Sequence, residues 1–100
     1  MDHYEEYGDG VLRLLAAEVH VPALSPTVDN GRRLHEAWCR RVFAPYLATG
    51  SPARKRRRLA QFIAMCDVYT WKLLRRDAGL GRAQAELALV EMLAPLTKEQ

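Results

Sequence analysis

The chain has 100 residues, 49% of them hydrophobic and 27% charged, with a formal net charge of +3. That length allows one domain with one small core, and the apolar content excludes a disordered polar chain. A charge this mild does not by itself imply a nucleic-acid partner.

The segment Met1-Asp2-His3-Tyr4-Glu5-Glu6 is acidic and has no apolar stretch, so it does not read as a signal peptide. No apolar run approaches the roughly 20 residues needed to span a bilayer, and no membrane partner is expected. Cys39 and Cys66 fall inside amphipathic patterns rather than loops. That placement suits free thiols in a reducing cytoplasm, which is the expected location.

Proline and glycine divide the chain into four segments, none of which alternates like a strand. The first helix is expected over residues 2–19, with Tyr4, Tyr7, Val11, Leu14 and Leu15 at helical spacing. Gly8 and Gly10 interrupt it. Each interior glycine costs roughly 1 kcal/mol against alanine, so the helix is either kinked there or packed very closely on a neighbour. A connector over residues 21–26 follows, and the second helix is expected to start with Ser25 as N-cap and Pro26 at its first position, Asp29 being a competing cap. Leu34, Trp38, Val42 and Tyr46 form one row on it, and His35, Cys39 and Phe43 the adjacent row. Pro45 ends or bends this helix, and Ala48-Thr49-Gly50 makes the turn.

Ser51-Pro52 repeats the cap pattern and opens a third helix expected to run unbroken to about Asp77, a span of roughly 40 Å. Leu59, Phe62, Ile63, Cys66, Tyr69, Thr70 and Leu73 lie on one side, while Ala60, Ala64, Val68, Trp71 and Leu74 cover much of the rest. A helix apolar over so much of its circumference needs cover on more than one side. Arg75 and Arg76 suit its C-terminal dipole. Gly79 is a left-handed stop, and Leu80 is placed to pack back. The last helix runs from Gly81 or Arg82 to about Leu96, with Ala85, Ala88, Leu89, Met92 and Leu96 on one face and Leu87, Val90 and Ala94 on another. Residues 98–100 form a polar tail expected to fray. The expected fold is an all-α bundle of about four helices. Its last two helices carry more apolar surface than one chain can cover, so an isologous homodimer closing a four-helix seam is the simplest solution, with a self-sufficient monomer as the rival.

The blocks Phe62-Ile63-Ala64-Met65-Cys66-Asp67-Val68-Tyr69-Thr70-Trp71-Lys72-Leu73-Leu74-Arg75-Arg76-Asp77, Gly79-Leu80 and Arg82-Ala83-Gln84-Ala85-Glu86 resemble the C-terminal half of TetR-type transcriptional regulators. The runs from His3 to Glu18 and from Gly31 to Trp38 are similar to the same family, so the resemblance covers nearly all of residues 1–100. The most specific part is Asp67-Val68-Tyr69-Thr70-Trp71-Lys72 with the Leu-Leu-Arg-Arg-Asp after it. The resemblance implies a ligand-sensing and dimerisation domain in which the last two helices pair with those of a second subunit. The earlier helices would enclose a small-molecule effector. Two departures stand out. The family's N-terminal helix-turn-helix domain is absent from these residues, so DNA would be reached only through that missing head. Gly81 stands where relatives tend to carry a serine cap, although Gln84 can still supply half of a capping box.

Under this resemblance Tyr7, His35, Trp38, Phe62, Met65 and Tyr69 are the expected liners of a mostly apolar pocket, since aromatics with one polar tip suit such a ligand. The alternative is that they fill the core. Val68, Trp71, Leu87, Val90 and Ala94 are the expected dimer contacts. Asp67 either binds a ligand or partner, or pairs with Arg32 or Arg33. His35 and Cys39, four apart, could be joined by Cys66 or His20 around zinc, but zinc needs three or four ligands. With no second paired motif, a core histidine and thiol is the preferred reading, and no metal or cofactor is expected. The run Arg54-Lys55-Arg56-Arg57-Arg58 opposes the dipole of the helix it opens. That invites an acidic neighbour, for which Glu5, Glu6 and Asp9 are candidates. Contact with phosphates is the alternative. No Ser-His-Asp or Cys-His set and no phosphate loop occurs, so no catalytic residue is assigned and an enzyme is not expected. A stand-alone homodimeric interaction protein without ligand or DNA binding is the alternative function.

Overall fold

The computed structural model describes residues 2–98. Among them the chain is all-α, with five α-helices joined by short 3-10 and π turns and no strand. Helix α1 (Asp2–Glu18) runs straight through Gly8 and Gly10. Of the two explanations for those glycines, Gly8 bears out close packing. A Cβ added there would lie 2.5–2.8 Å from carbons of the Trp71 ring.

A 3-10 turn (Pro22–Leu24) leads into α2 (Ser25–Val42) without a break. Leu24 is already in the right-handed helical region, so it takes the N-cap position and Ser25 makes no capping bond. The expected Ser25 cap is therefore corrected. On α2 the row His35, Cys39, Phe43 turns inward, with Cys39 fully buried. The row Leu34, Trp38, Val42, Tyr46 stays exposed at 38–64%.

After a 3-10 turn at Ala44–Tyr46, Ser51 caps α3 (Pro52–Met65) as its spacing predicts, its hydroxyl accepting from the Arg54 N–H at 3.1 Å. The long third helix is a correction. It breaks at Cys66-Asp67, and a separate α4 (Val68–Lys72) begins with Asp67 in extended conformation, accepting the Tyr69 N–H at 2.9 Å. The Thr70 hydroxyl donates to the Ala64 carbonyl at 2.6 Å and bridges the break. The coil then widens into a π turn (Leu73–Asp77). Gly79, at φ +71°, ends it, with Leu80 N–H reaching back to the Leu74 carbonyl at 3.0 Å. Helix α5 (Arg82–Leu93) and a final 3-10 turn (Ala94–Thr97) follow. Of the expected polar tail, residues 99–100 lie outside the described residues.

Helix α1 packs on α4, α2 on α3, and α3 on α5. The core is the buried cluster Cys39, Phe43, Leu59 and Phe62, with Leu47, Ile63, Cys66, Leu93 and Leu96 against it. Phe43 and Phe62 stack with centroids 4.0 Å apart. The described chain measures 44 × 32 × 17 Å, and 17 Å is less than two helix diameters. No described helix is long and apolar enough to cross a membrane.

Candidate functional site

A carboxylate near the start of the chain sets the geometry on one side of the molecule. Glu5 accepts from the Trp71 indole N–H at 2.6 Å and from Arg75 Nε and Nη2 at 2.8 and 2.9 Å. Arg75 Nη1 also donates to the Leu80 carbonyl at 2.8 Å. The hydrogen bonds from Arg75, seconded by the indole, hold the Glu5 carboxyl down to about 2 against the opposing effect of burial. One turn along α1, Asp9 takes Arg76 at 2.9 and 3.2 Å, and the Arg76 guanidinium sits over the Trp71 ring at 4.7 Å. Trp71 is thus gripped at its nitrogen and covered by a cation, with Gly8 against its six-membered ring. The acidic residues of α1 were expected to face the basic run at 54–58. In the structure Glu5 and Asp9 serve Arg75 and Arg76 instead.

Beside this clamp, α1, α2 and the break between α3 and α4 surround an open cleft of about 1200 Å³. Tyr4, Val11, Leu14 and Leu15 of α1 form one wall, Leu34, His35 and Trp38 of α2 another, and Met65 to Tyr69 at the helix break the floor. Of the six expected liners, His35, Trp38, Met65 and Tyr69 come together here. Phe62 lies behind the wall with no exposed surface, in the core. Tyr7 is 53% exposed outside the cleft and packs on His3 with centroids 5.2 Å apart. The apolar periodicity of α1 marks Val11, Leu14 and Leu15, but spacing alone does not separate a helix face that meets the core from one that lines a cleft.

Some polar groups of the cleft have definite partners. His35 Nε2 lies 3.1 Å from the Ile63 carbonyl and ties α2 to α3, with Cys39 Sγ 3.9 Å from the same nitrogen. If Nε2 carries the proton, Nδ1 is the acceptor left over. Asp67 accepts from Tyr69 as a helix cap, not from Arg32 or Arg33; Arg32 faces Asp29 at 3.6 Å. Burial pushes the Tyr4 phenol up to about 12, helped by the Asp67 and Cys66 charges, so Tyr4 offers a hydrogen-bond donor at every ordinary pH. Burial likewise raises the Cys39 thiol to about 11 and the Cys66 thiol above its usual value. Both are free cysteines, held in the protonated form that does not attack or ligate. Among the described residues no three His, Cys, Asp or Glu side chains gather as a metal-holding group.

The expected dimer contacts divide. Val68 and Trp71 are buried within the chain at 4% and 1% exposure, whereas Leu87 and Val90 are 50% and 62% exposed and Ala94 is exposed. In the basic run, Lys55, Arg56 and Arg57 point to solvent, while Arg54, Lys55 and Arg58 border a smaller recess of about 230 Å³ with Tyr46, Thr49 and Lys98. No family model matches the chain, and no curated protein or solved structure matches it either.

Proposed function

We propose that the chain is the ligand-sensing and dimerising portion of a TetR-type transcriptional repressor, acting in the cytoplasm as a homodimer that takes a small, mostly apolar effector. The reading is of a binding protein and not of an enzyme, and any DNA contact would fall to a helix-turn-helix head outside these 100 residues. The observation that carries it is the convergence of His35, Trp38, Met65 and Tyr69, drawn from two helices and the helix break, on one apolar cleft of about 1200 Å³. Pockets for small molecules commonly fall between about 300 and 1,000 Å³, and a cleft of this size open to one side suits an effector with room to spare. Supporting the dimer, Leu87 and Val90 of α5 and Leu73 of the π turn present apolar side chains that are 50–62% exposed.

The test is calorimetric titration of the purified chain with apolar probes, alongside the same titration of a Trp38→Ala variant. Saturable binding that weakens in the variant supports the reading. Absence of any saturable binding, with the fold intact by circular dichroism, removes the sensor function. It would leave the second reading, a stand-alone homodimeric interaction protein without ligand or DNA. One observation favours that alternative: the cleft and the exposed Leu34, Trp38, Val42 and Tyr46 row adjoin through Leu34 and Trp38, as a surface for a partner helix would.

A further inference from the structure

The charged groups lining the cleft are not equivalent, and the difference narrows what the cleft can hold. Arg32 faces Asp29 at 3.6 Å and Glu36 faces Arg40 at 3.6 Å, so each of these charges already has its opposite on the same helix. His35 is engaged with the Ile63 carbonyl. Asp67 is the exception. It is half-buried at the break between α3 and α4, its Oδ2 accepts one backbone N–H at 2.9 Å, and no cation among the described residues pairs with it. The same cleft presents the rings of Tyr4, Trp38 and Tyr69, the last two 42% and 51% exposed. Trp71 does not belong to this set, because Arg76 already covers its face.

A neutral apolar occupant would strip water from Asp67 and return nothing for the lost hydration. An anion would be repelled outright. An apolar body carrying one positive charge satisfies the carboxylate, and aromatic faces attract the same charge through their quadrupoles. We propose that the cleft selects lipophilic monocations, with the charge set against the open Oδ1 of Asp67 and the apolar body on the Tyr4, Trp38 and Tyr69 rings. The proposal rests on the cleft being a ligand site, and the experiment separates the two claims.

The probes are tetraphenylphosphonium, a monocation, and triphenylphosphine oxide, a neutral body of related shape, each titrated calorimetrically into the full chain and into Asp67→Asn. Asparagine caps a helix as well as aspartate does, so this variant removes the charge and keeps the α4 start. The expected result is tighter binding of the phosphonium, an affinity that falls about tenfold in Asp67→Asn, and a smaller response of the oxide. Raising the salt concentration should weaken the phosphonium alone. Equal affinity for the two probes, or an unchanged phosphonium affinity in Asp67→Asn, overturns the charge selection and leaves the cleft as a ligand site. Failure of both probes to bind overturns the selection, and the sensor reading falls with it only if the wider series of apolar probes also shows no saturable binding.

Discussion

Gly8 and Gly10 sit two residues apart on α1 and should answer opposite ways to the same substitution. A methyl at Gly8 would enter the Trp71 ring, which the Glu5 bond and the Arg76 guanidinium keep from moving aside. A methyl at Gly10 meets only the tip of Arg13 at 4.0 Å. Gly8→Ala is therefore expected to destabilise the protein by about 1–3 kcal/mol through overpacking, despite alanine's better helix propensity. Gly10→Ala should stabilise it by up to about 1 kcal/mol. Chemical denaturation of the two variants checks the pair, and equal signs would contradict the packing described. The sequence announced that something was unusual at these glycines but could not choose between a kink and a close approach. That choice depends on a tryptophan more than sixty residues away. Glu5 gives the second prediction at this scale. Its carboxyl is ordinarily near 4.5 and stands near 2 in the fold, so the folded state favours the ionised form. The stability it contributes is complete above about pH 4.5 and is lost as pH falls toward 2. Unfolding free energy measured across that interval should fall with decreasing pH, and Glu5→Gln should flatten the slope.

Between Ser51 and Leu80 the expected single helix became two helices and a π turn, and the outcome turns on local hydrogen bonding. The residues at the break, Met65, Cys66, Asp67 and Val68, include no glycine or proline, and the apolar spacing runs on without interruption. Aspartate can nonetheless take the backbone N–H two residues on in place of a helical partner, and here it does so with Tyr69 while Thr70 closes the gap to Ala64. A hydrophobic pattern reports which faces are apolar and is blind to such a competition, whereas caps at chain turns, such as Ser51, and stops such as Gly79 are legible because proline and glycine mark them. Asp67→Ala should cost about 1 kcal/mol by loss of the cap, with Asp67→Asn close to neutral. Thermal unfolding of the two variants side by side measures the difference. The same break explains why only part of the expected site assembled. Met65, the last residue of α3, and Tyr69, at the start of α4, line the cleft on either side of the break, while Phe62, one turn earlier on α3, remains in the core.

At the scale of the whole molecule the exposed surface is in excess. The described chain exposes 6804 Å², against about 5,800 Å² for a compact monomer of its 11.4 kDa mass. Its radius of gyration is 14.8 Å, where about 13 Å is usual for 100 residues. A second copy laid on α5 would cover the exposed Leu87 and Val90. Sedimentation is thus expected to give twice the chain mass at micromolar concentration, and Val90→Glu, a change at a 62% exposed position, should shift it to the monomer with helicity preserved. A clean monomer in the unaltered chain would oppose the dimer. The need for cover was visible in the sequence as helices apolar all round. Its location was visible in part: Leu87, Val90 and Ala94, marked from their spacing, are exposed, whereas Val68 and Trp71 are consumed by α1 and the exposed row on α2 was not marked as a contact. The Glu5 clamp also has a consequence in time. It joins partners separated by 66 and 70 positions, so α1 docks only after most of the chain has closed into a loop. Helix α1 gives no residue to the buried Cys39–Phe62 cluster, so it is the element whose lifting leaves that core closed. Because α1 is a wall of the cleft, an occupant that touches α1 and the opposite wall together would oppose that lifting, so amide exchange along α1 should slow when the cleft is filled.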